Sequence, residues 1–287
     1  MTEKLTKVKF TNLDKILYPR MKITKALVIE YYIKMAPKML GFLAARPAVL
    51  TRFPNGVNEV GFYEKDAPSG TPSWVKVLRR YSESAEREIA YILCNDLDTL
   101  IWLGNLAALE IHITLSVAST FESPDFVLFD IDPEPPLGFD DVVDVALLLK
   151  QKLDDLGLRS YVKTSGRKGI HTVIPVKEGY TFKQTREFAH KIGKQLAKES
   201  KFIVSEFPRS REAGTIFVDY LQNSHGRTMI CPYGLRAAPQ ATVSTPLDWR
   251  EVEKGLRPED FNLFSVVKRE KNPWEGLLKD RQRLEVS

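Results

Sequence analysis

Asp130 and Asp132 end an apolar run, Phe126-Val127-Leu128-Phe129-Asp130-Ile131-Asp132-Pro133. In an extended strand side chains alternate faces, so the two carboxylates project together while Phe129 and Ile131 point the other way. Like charges side by side repel, and a cation between them relieves the repulsion. Far downstream, Phe217-Val218-Asp219-Tyr220 closes another apolar run with a third carboxylate. Three oxygen donors of this kind suit Mg²⁺ or Mn²⁺ and leave room for water and phosphate. The chemistry indicated is metal-assisted phosphoryl or nucleotidyl transfer. Taken alone, Asp-x-Asp is more often a solvated strand end, and Pro133, Pro135 and Pro136 show that a turn follows.

Between the acidic motifs lies Tyr161-Val162-Lys163-Thr164-Ser165-Gly166-Arg167-Lys168-Gly169-Ile170-His171-Thr172-Val173-Ile174-Pro175. It reads as two β-branched runs joined by a basic turn. Gly166 and Gly169 allow close approach of backbone to a ligand. Ser165, Lys168 and His171 offer a hydroxyl, an ammonium and an imidazole three residues apart, the groups a polyanion needs. By itself the segment is a basic hairpin turn with a packed histidine; beside three carboxylates it becomes a candidate triphosphate cradle. It is not a Walker A loop, lacking the Gly-Lys-Ser/Thr ending that opens a helix.

The elements that must position these groups follow from periodicity. A helix is expected from Thr24 through Ile33, with Thr24 as its cap. Ala48 to Phe53 reads as a strand ending at Pro54-Asn55-Gly56, Asp96 to Leu103 as a short helix, and Glu110 to Leu115 as an alternating strand. Phe139 to Leu156 is an amphipathic helix closed by Gly157. The 126–132 strand, that helix, the 160–176 hairpin, a 183–199 helix and the 216–220 strand make a β-α-β-β-α-β order. The expectation is an α/β (α+β) molecule: 121–287 mainly an RRM-like catalytic lobe, a second α/β lobe over 1–120, and a cleft between them. Phe62 and Tyr63, after Asn55-Gly56 and Gly61, read as a loop whose rings could stack on a template base, or else as core aromatics.

Lys and Arg number 42 against 37 Asp and Glu, a net charge of +5. Residues 1–25 hold all of that excess: Lys4, Lys7, Lys9, Lys15, Arg20, Lys22 and Lys25 against Glu3 and Asp14. Such a run is commonly a solvated face, but in a chain directed at phosphates it reads as a DNA-backbone contact. Lys268-Arg269-Glu270-Lys271 reads as solvated surface. Cys94 and Cys231 lack Cys-x-x-Cys spacing, which excludes a zinc finger or disulfide framework and suits a reducing cytoplasm. No apolar run is long enough to span a membrane.

The ordered motifs, strand Asp-x-Asp, then Ser-Gly-x-Lys-Gly-x-His, then a hydrophobic-Asp strand, resemble the archaeo-eukaryotic primase superfamily. Within it the chain is most similar to polymerase domains of prokaryotic non-homologous end-joining ligases, in their stand-alone archaeal form. The resemblance extends over nearly the whole chain. It includes Thr11 to Pro19, Gly61 to Lys65, Trp102-Leu103-Gly104-Asn105 with His112, Tyr233 to Ala237, and Val243 to Pro246.

The resemblance implies a single primase-polymerase domain that extends primers and fills gaps at double-strand breaks. Asp130 and Asp132 would bridge two ions, with Asp219 mainly on the primer side. It implies manganese and ribonucleotide preference, with Ku and a separate DNA ligase as partners; no Lys-x-Asp-Gly ligase nucleophile is present. It places Arg236 at the triphosphate with Ser165, Lys168 and His171, and His112 near the sugar and phosphates, where residue pattern alone gives a structural histidine. Arg52 and Gln222 are further nucleotide-binding candidates, Arg52 against the alternative of an ordinary surface arginine. Ser165 and the neighbourhood of His112 are candidates to read the 2′-hydroxyl. In similar polymerases the positions of Asn12, Lys15 and Lys25 hold a downstream 5′-phosphate. Competing readings are a de novo primase, a two-metal nuclease and a non-catalytic nucleic-acid-binding module. An intact carboxylate triad argues against the last, and a nuclease has no need of a triphosphate cradle.

Overall fold

A computed structural model describes residues 6–82, 85–206 and 212–284. Glu3 and Lys4 of the basic segment lie outside the described residues. The chain forms two compact units: one comprises the chain up to Thr114 with Ile230–Val243 and Asn262–Glu270, the other Leu115–Met229, Ser244–Phe261 and the chain from Lys271 onward. The first unit is therefore not confined to the N-terminal 120 residues. Its returning segments are tied in by backbone and side-chain bonds. Cys231 N–H donates to the Ile111 carbonyl at 2.9 Å, and the buried Tyr31 hydroxyl donates to the Tyr233 carbonyl at 2.7 Å.

In the first unit β1 (Ile16–Tyr18) and β2 (Ile23–Thr24) pair antiparallel and lead into α1 (Lys25–Leu43). Thr24 caps this helix as expected, its hydroxyl accepting from Leu27 N–H. The helix runs well past Ile33 and through Pro37. Val28, Tyr31, Tyr32, Met35, Met39 and Phe42 keep the helical spacing and are buried, and that burial outweighs the one N–H a proline removes. Next come β3 (Pro47–Arg52), β4 (Phe62–Glu64), β5 (Lys76–Ser82), β6 (Arg87–Leu93), α2 (Leu97–Asn105) and β7 (Ala108–Thr114). The sheet runs β7-β3-β6-β5, with β4 also paired to β3. Phe62 and Tyr63 are thus strand residues, opposite Arg52 and Thr51, where a loop was expected. Pairing with β3 satisfies their backbone, and both rings remain exposed.

The second unit contains β8 (Phe126–Pro133), α3 (Phe139–Asp155), β9 (Tyr161–Thr164), β10 (Ile170–Pro175), α4 (Phe182–Glu199), β11 (Ile203–Val204) and β12 (Ile216–Asp219). β13 (Thr228–Ile230) follows and belongs to the other sheet, next to β7, while β14 (Pro246–Leu247) completes a sheet of order β11-β12-β8-β10-β9-β14. The β-α-β-β-α-β core read from the periodicity is present, with its last strand beside its first, as an RRM-like sheet requires. Gly157 holds a φ of +69° at the end of α3, the left-handed cap that its sequence position indicated. α4 covers one face of the sheet: a methyl added at Gly193 would touch Val218, which pairs with Ile131. Asp130 and Asp132, displaced by one residue from Ile131, occupy the opposite face. Among the described residues no helix is long and apolar enough to cross a membrane.

Candidate active site

Strand register assembles the acidic motifs. Asp219 of β12 lies opposite Asp130 of β8, Asp130 opposite His171 of β10, and His171 opposite Lys163 of β9. Four strands thus contribute one row on the face away from α4, and Asp132 sits two residues along β8 on that face. His171 Nε2 lies 3.2 Å from Asp130 Oδ1, its Nδ1 lies 2.9 Å from Lys163 Nζ, and Lys163 Nζ donates to Ser244 Oγ at 2.6 Å. Asp219 is held separately: Oδ1 accepts from Leu221 N–H at 2.8 Å and Oδ2 from Gln222 Nε2 at 3.3 Å. Asp219 and His171 are buried, and Asp130 keeps 18% of its side-chain surface.

The 165–169 turn closes against this row. Ser165 N–H donates to the Gly169 carbonyl at 2.9 Å, while Ser165 Oγ accepts from the N–H groups of Gly169 and Arg167 at 3.1 and 3.3 Å. Gly166 adopts a φ of +73°, and a Cβ at Gly169 would stand 2.3 Å from Asp132 Oδ1. Both glycines are therefore obligatory, one for its dihedral and one for space. Lys168 donates to the Pro133 carbonyl at 2.9 Å and pairs with Glu134 at 3.5 Å, its side chain half exposed. Ser165, Lys168, His171 and Gln222 all border the acidic strands.

Three carboxylates on adjacent strands, with an imidazole beside one of them, fit a hard divalent cation in donor type. Among the described residues no group of three His, Cys, Asp or Glu is drawn together as a closed metal cage. Asp130 is turned toward His171 and Asp219 toward the backbone of the turn that it caps.

The first unit holds two further clusters. On β7 Glu110 and His112 share a face. Glu110 Oε1 pairs with Arg236, 3.2 Å from its Nε, and accepts from Ala237 N–H at 3.0 Å, while Oε2 lies 3.3 Å from His112 Nε2. His112 and Arg236 are thus joined through a buried glutamate. Arg52 stands elsewhere on that sheet, its Nη1 bidentate to Glu64 at 3.1 Å and its Nε bonded to the Leu106 carbonyl.

The second cluster is cationic. Asn12 takes a φ of +49° and accepts from Lys15 N–H, turning the chain so that Lys25 N–H reaches the Lys15 carbonyl at 2.8 Å. Lys15 Nζ donates to Asn55 Oδ1 at 2.7 Å and Lys25 Nζ to the Thr11 carbonyl at 3.0 Å. Burial lowers the Lys25 pKa from its ordinary value, and the charges of Lys15 and Arg52 lower it further. Asn12, Lys15 and Lys25 therefore form one local group, and Arg52 is close enough to be felt there.

Residue patterns did not single out Lys163, Ser244, Glu110 or Glu134. Lys163 and Glu110 are charged residues inside buried strands, and nothing in a local pattern distinguishes such a residue from a solvated one. Glu110 does carry a signal, its i, i+2 spacing from His112.

The family described as LigD, primase-polymerase domain, matches residues 24–274. The chain is 35% identical over 266 residues to the bifunctional non-homologous end joining protein LigD of Bacillus subtilis, covering 92% of this chain and 42% of that protein. It is 33% identical over 256 residues to the multifunctional non-homologous end joining protein LigD of Mycolicibacterium smegmatis, covering 87% and 33% respectively. The chain therefore spans between a third and about two fifths of these relatives. Among solved structures it is similar to the polymerase domain from Mycobacterium tuberculosis ligase D in complex with DNA, with a TM-score of 0.88 and 29% identity over 97% of this chain and 100% of that one.

Proposed function

The chain belongs to the LigD primase-polymerase domain family, whose members are metal-dependent nucleotidyltransferases in general, and from that premise we propose that it extends DNA primers on a template at broken ends. The observation that carries the reading is the register of Asp219 with Asp130, which adds a third carboxylate to the Asp130–Asp132 face. In the proposed reaction the primer 3′-hydroxyl gives up its proton to solvent, and its oxygen forms a bond to the α-phosphorus of the incoming nucleotide. The bond to the β-phosphate oxygen breaks, and its electron pair leaves with pyrophosphate. Asp130, Asp132 and Asp219 would hold the divalent ions, two in number and manganese by preference, which would supply Lewis-acid activation of the hydroxyl and charge neutralisation.

The protein's own groups do the rest. Ser165, Lys168 and Arg236 are assigned to the nucleotide phosphates, where charge-assisted donors counter the charge developing on pyrophosphate, and His171, its ring nitrogens engaged by Lys163 and Asp130, borders them. Gln222 steadies Asp219 and is within reach of nucleotide groups beside it. His112 is assigned to the sugar side with Arg236, and Arg52 to a supporting role nearer the basic cluster. Asn12, Lys15 and Lys25 are assigned to a terminal 5′-phosphate, whose extra charge distinguishes a broken end from an internal diester. Phe62 or Tyr63, exposed on β4, provides a face for an unpaired template base.

The biological setting proposed is cytoplasmic non-homologous end joining with Ku and a separate ligase, and ribonucleotides as preferred substrates. The test is incorporation of labelled nucleotide on primed, unprimed and absent template, with Mn²⁺ or Mg²⁺ and with ribo- or deoxyribonucleotides. Extension of the primed template, faster with ribonucleotides, is expected. Synthesis on the unprimed template alone would replace the reading with de novo priming, and no incorporation would overturn it.

A further inference from the structure

We propose that Lys163 and Ser244 are positioning residues for the acidic row: acting through the His171 ring, they fix the orientation of the Asp130 carboxylate. Its consequence for catalysis rests on the polymerase reading above; its geometry does not.

The argument starts from one carbonyl. Ser244 Oγ lies 2.7 Å from the Thr164 carbonyl oxygen, which only accepts, so the serine hydroxyl must donate there. Its oxygen is then an acceptor for Lys163 Nζ at 2.6 Å. Lys163 is completely buried, and as an ammonium it has donors and no acceptor. Its second partner, His171 Nδ1 at 2.9 Å, must therefore present a lone pair. A neutral imidazole with a bare Nδ1 carries its proton on Nε2, and Nε2 faces Asp130 Oδ1 at 3.2 Å. The bonds linking Thr164, Ser244, Lys163, His171 and Asp130 thereby each run in one direction.

The backbone holds this chain of bonds in place. Thr164 N–H donates to the Thr245 carbonyl at 3.0 Å, and Thr245 N–H returns to Thr164 Oγ1 at 3.0 Å, which pins Ser244 beside β9. β9 and β10 then set Lys163 opposite His171. A carboxylate with one oxygen held by a fixed N–H presents its other oxygen in a fixed direction. Groups that orient a ligand in this way typically alter metal affinity or activity by about 10–100-fold when removed.

The test is nitrogen-15 NMR of the histidine rings in the metal-free 287-residue chain, with His171→Gln assigning the signal among four histidines. The expected wild-type spectrum shows His171 with Nε2 protonated and Nδ1 bare. Lys163→Met should release the ring to exchange between tautomers and lower kcat about 10–100-fold, with DNA affinity unchanged. Ser244→Ala should move both readouts the same way, by less. A wild-type ring protonated at Nδ1 overturns the proposal. So does a folded Lys163→Met protein with ring form and rate unchanged, or a slowed one whose ring keeps Nε2 protonated, which would leave only a buried charge effect. Should Lys163→Met fail to fold, the wild-type spectrum and Ser244→Ala decide. Wild-type protein without nucleotide addition would defeat the polymerase reading, and the ring measurement would still judge the network by itself.

Discussion

The acidic row of the second unit and the cationic cluster of the first solve opposite electrostatic problems by different means. Asp219 and Asp130 stand side by side on neighbouring strands, Asp219 held by Leu221 N–H and Gln222 and Asp130 facing His171, and the buried Lys163 ammonium meets two acceptors. Lys15 and Lys25 instead stand together with Arg52 nearby, and the lysines are held by uncharged oxygens, an asparagine amide and a backbone carbonyl. Neutral acceptors satisfy hydrogen bonds without removing charge. The first arrangement sets geometry and keeps a negative field that cations would complete, whereas the second keeps a positive field that an anion would complete.

Replacing the acidic side should have the largest effect. Asp130→Ala or Asp132→Ala is expected to abolish nucleotide addition while DNA binding, measured by fluorescence anisotropy, stays largely intact; full extension by either variant would break the comparison. Lys168 occupies a middle position, half exposed beside Asp132 yet bonded to the end of β8. Lys168→Ala should lower kcat/KM for the nucleotide about 100-fold, the scale of one lost charge-assisted donor in a transition state. Unchanged steady-state kinetics would return the lysine to a purely local tie on Pro133 and Glu134.

On the cationic side the expected loss is of discrimination, not of chemistry. Gapped DNA with a 5′-phosphate should bind more tightly than the same DNA with a 5′-hydroxyl, and joint replacement of Lys15 and Lys25 by alanine should erase the difference at one fixed salt concentration. Equal affinity for the two ends in the unmodified protein would leave the cluster as non-specific attraction.

The smallest effect concerns stability. Burial, reinforced by Lys15 and Arg52, holds the Lys25 pKa below that of an ordinary lysine. The unfolded chain therefore binds this proton more tightly than the folded one. The charge costs stability at any pH below the folded value, and the cost is relieved as pH rises from the folded toward the unfolded pKa. Lys25→Met should raise the melting temperature by a few degrees at neutral pH, and its advantage should shrink as the pH climbs into that alkaline window. A destabilised variant would mean that the bond to Thr11 contributes more than the buried charge costs.

Much of this was legible in local patterns. The alternation in Phe126 to Asp132 placed Asp130 and Asp132 on one face, Thr24 announced α1, and Gly157 marked the end of α3. Other features were not. Pro37 gave no sign that α1 would continue through it, because the decision lay with burial further along the helix. The glycines before Phe62 and Tyr63 suggested a loop, and only a partner in β3 made them a strand. The sequence division near residue 120 missed the segments Ile230–Val243 and Asn262–Glu270, which fold with the first unit through contacts far apart in the chain.

What the sequence determined by itself was the inventory and its short-range order: which carboxylates share a face, where the glycine turn falls, and the β-α-β-β-α-β succession. These are consequences of a two-residue or 3.6-residue period and of residues adjacent in the chain. What only the tertiary structure decided was register, since pairing Asp219 with Asp130 and His171 with Lys163 depends on strands far apart in sequence, and a slip of one residue would send every one of these side chains to the helix-covered face. It also decided which charges are buried. Lys163 and Glu110 look solvated in the sequence because burial belongs to the surroundings of a side chain and not to the side chain itself.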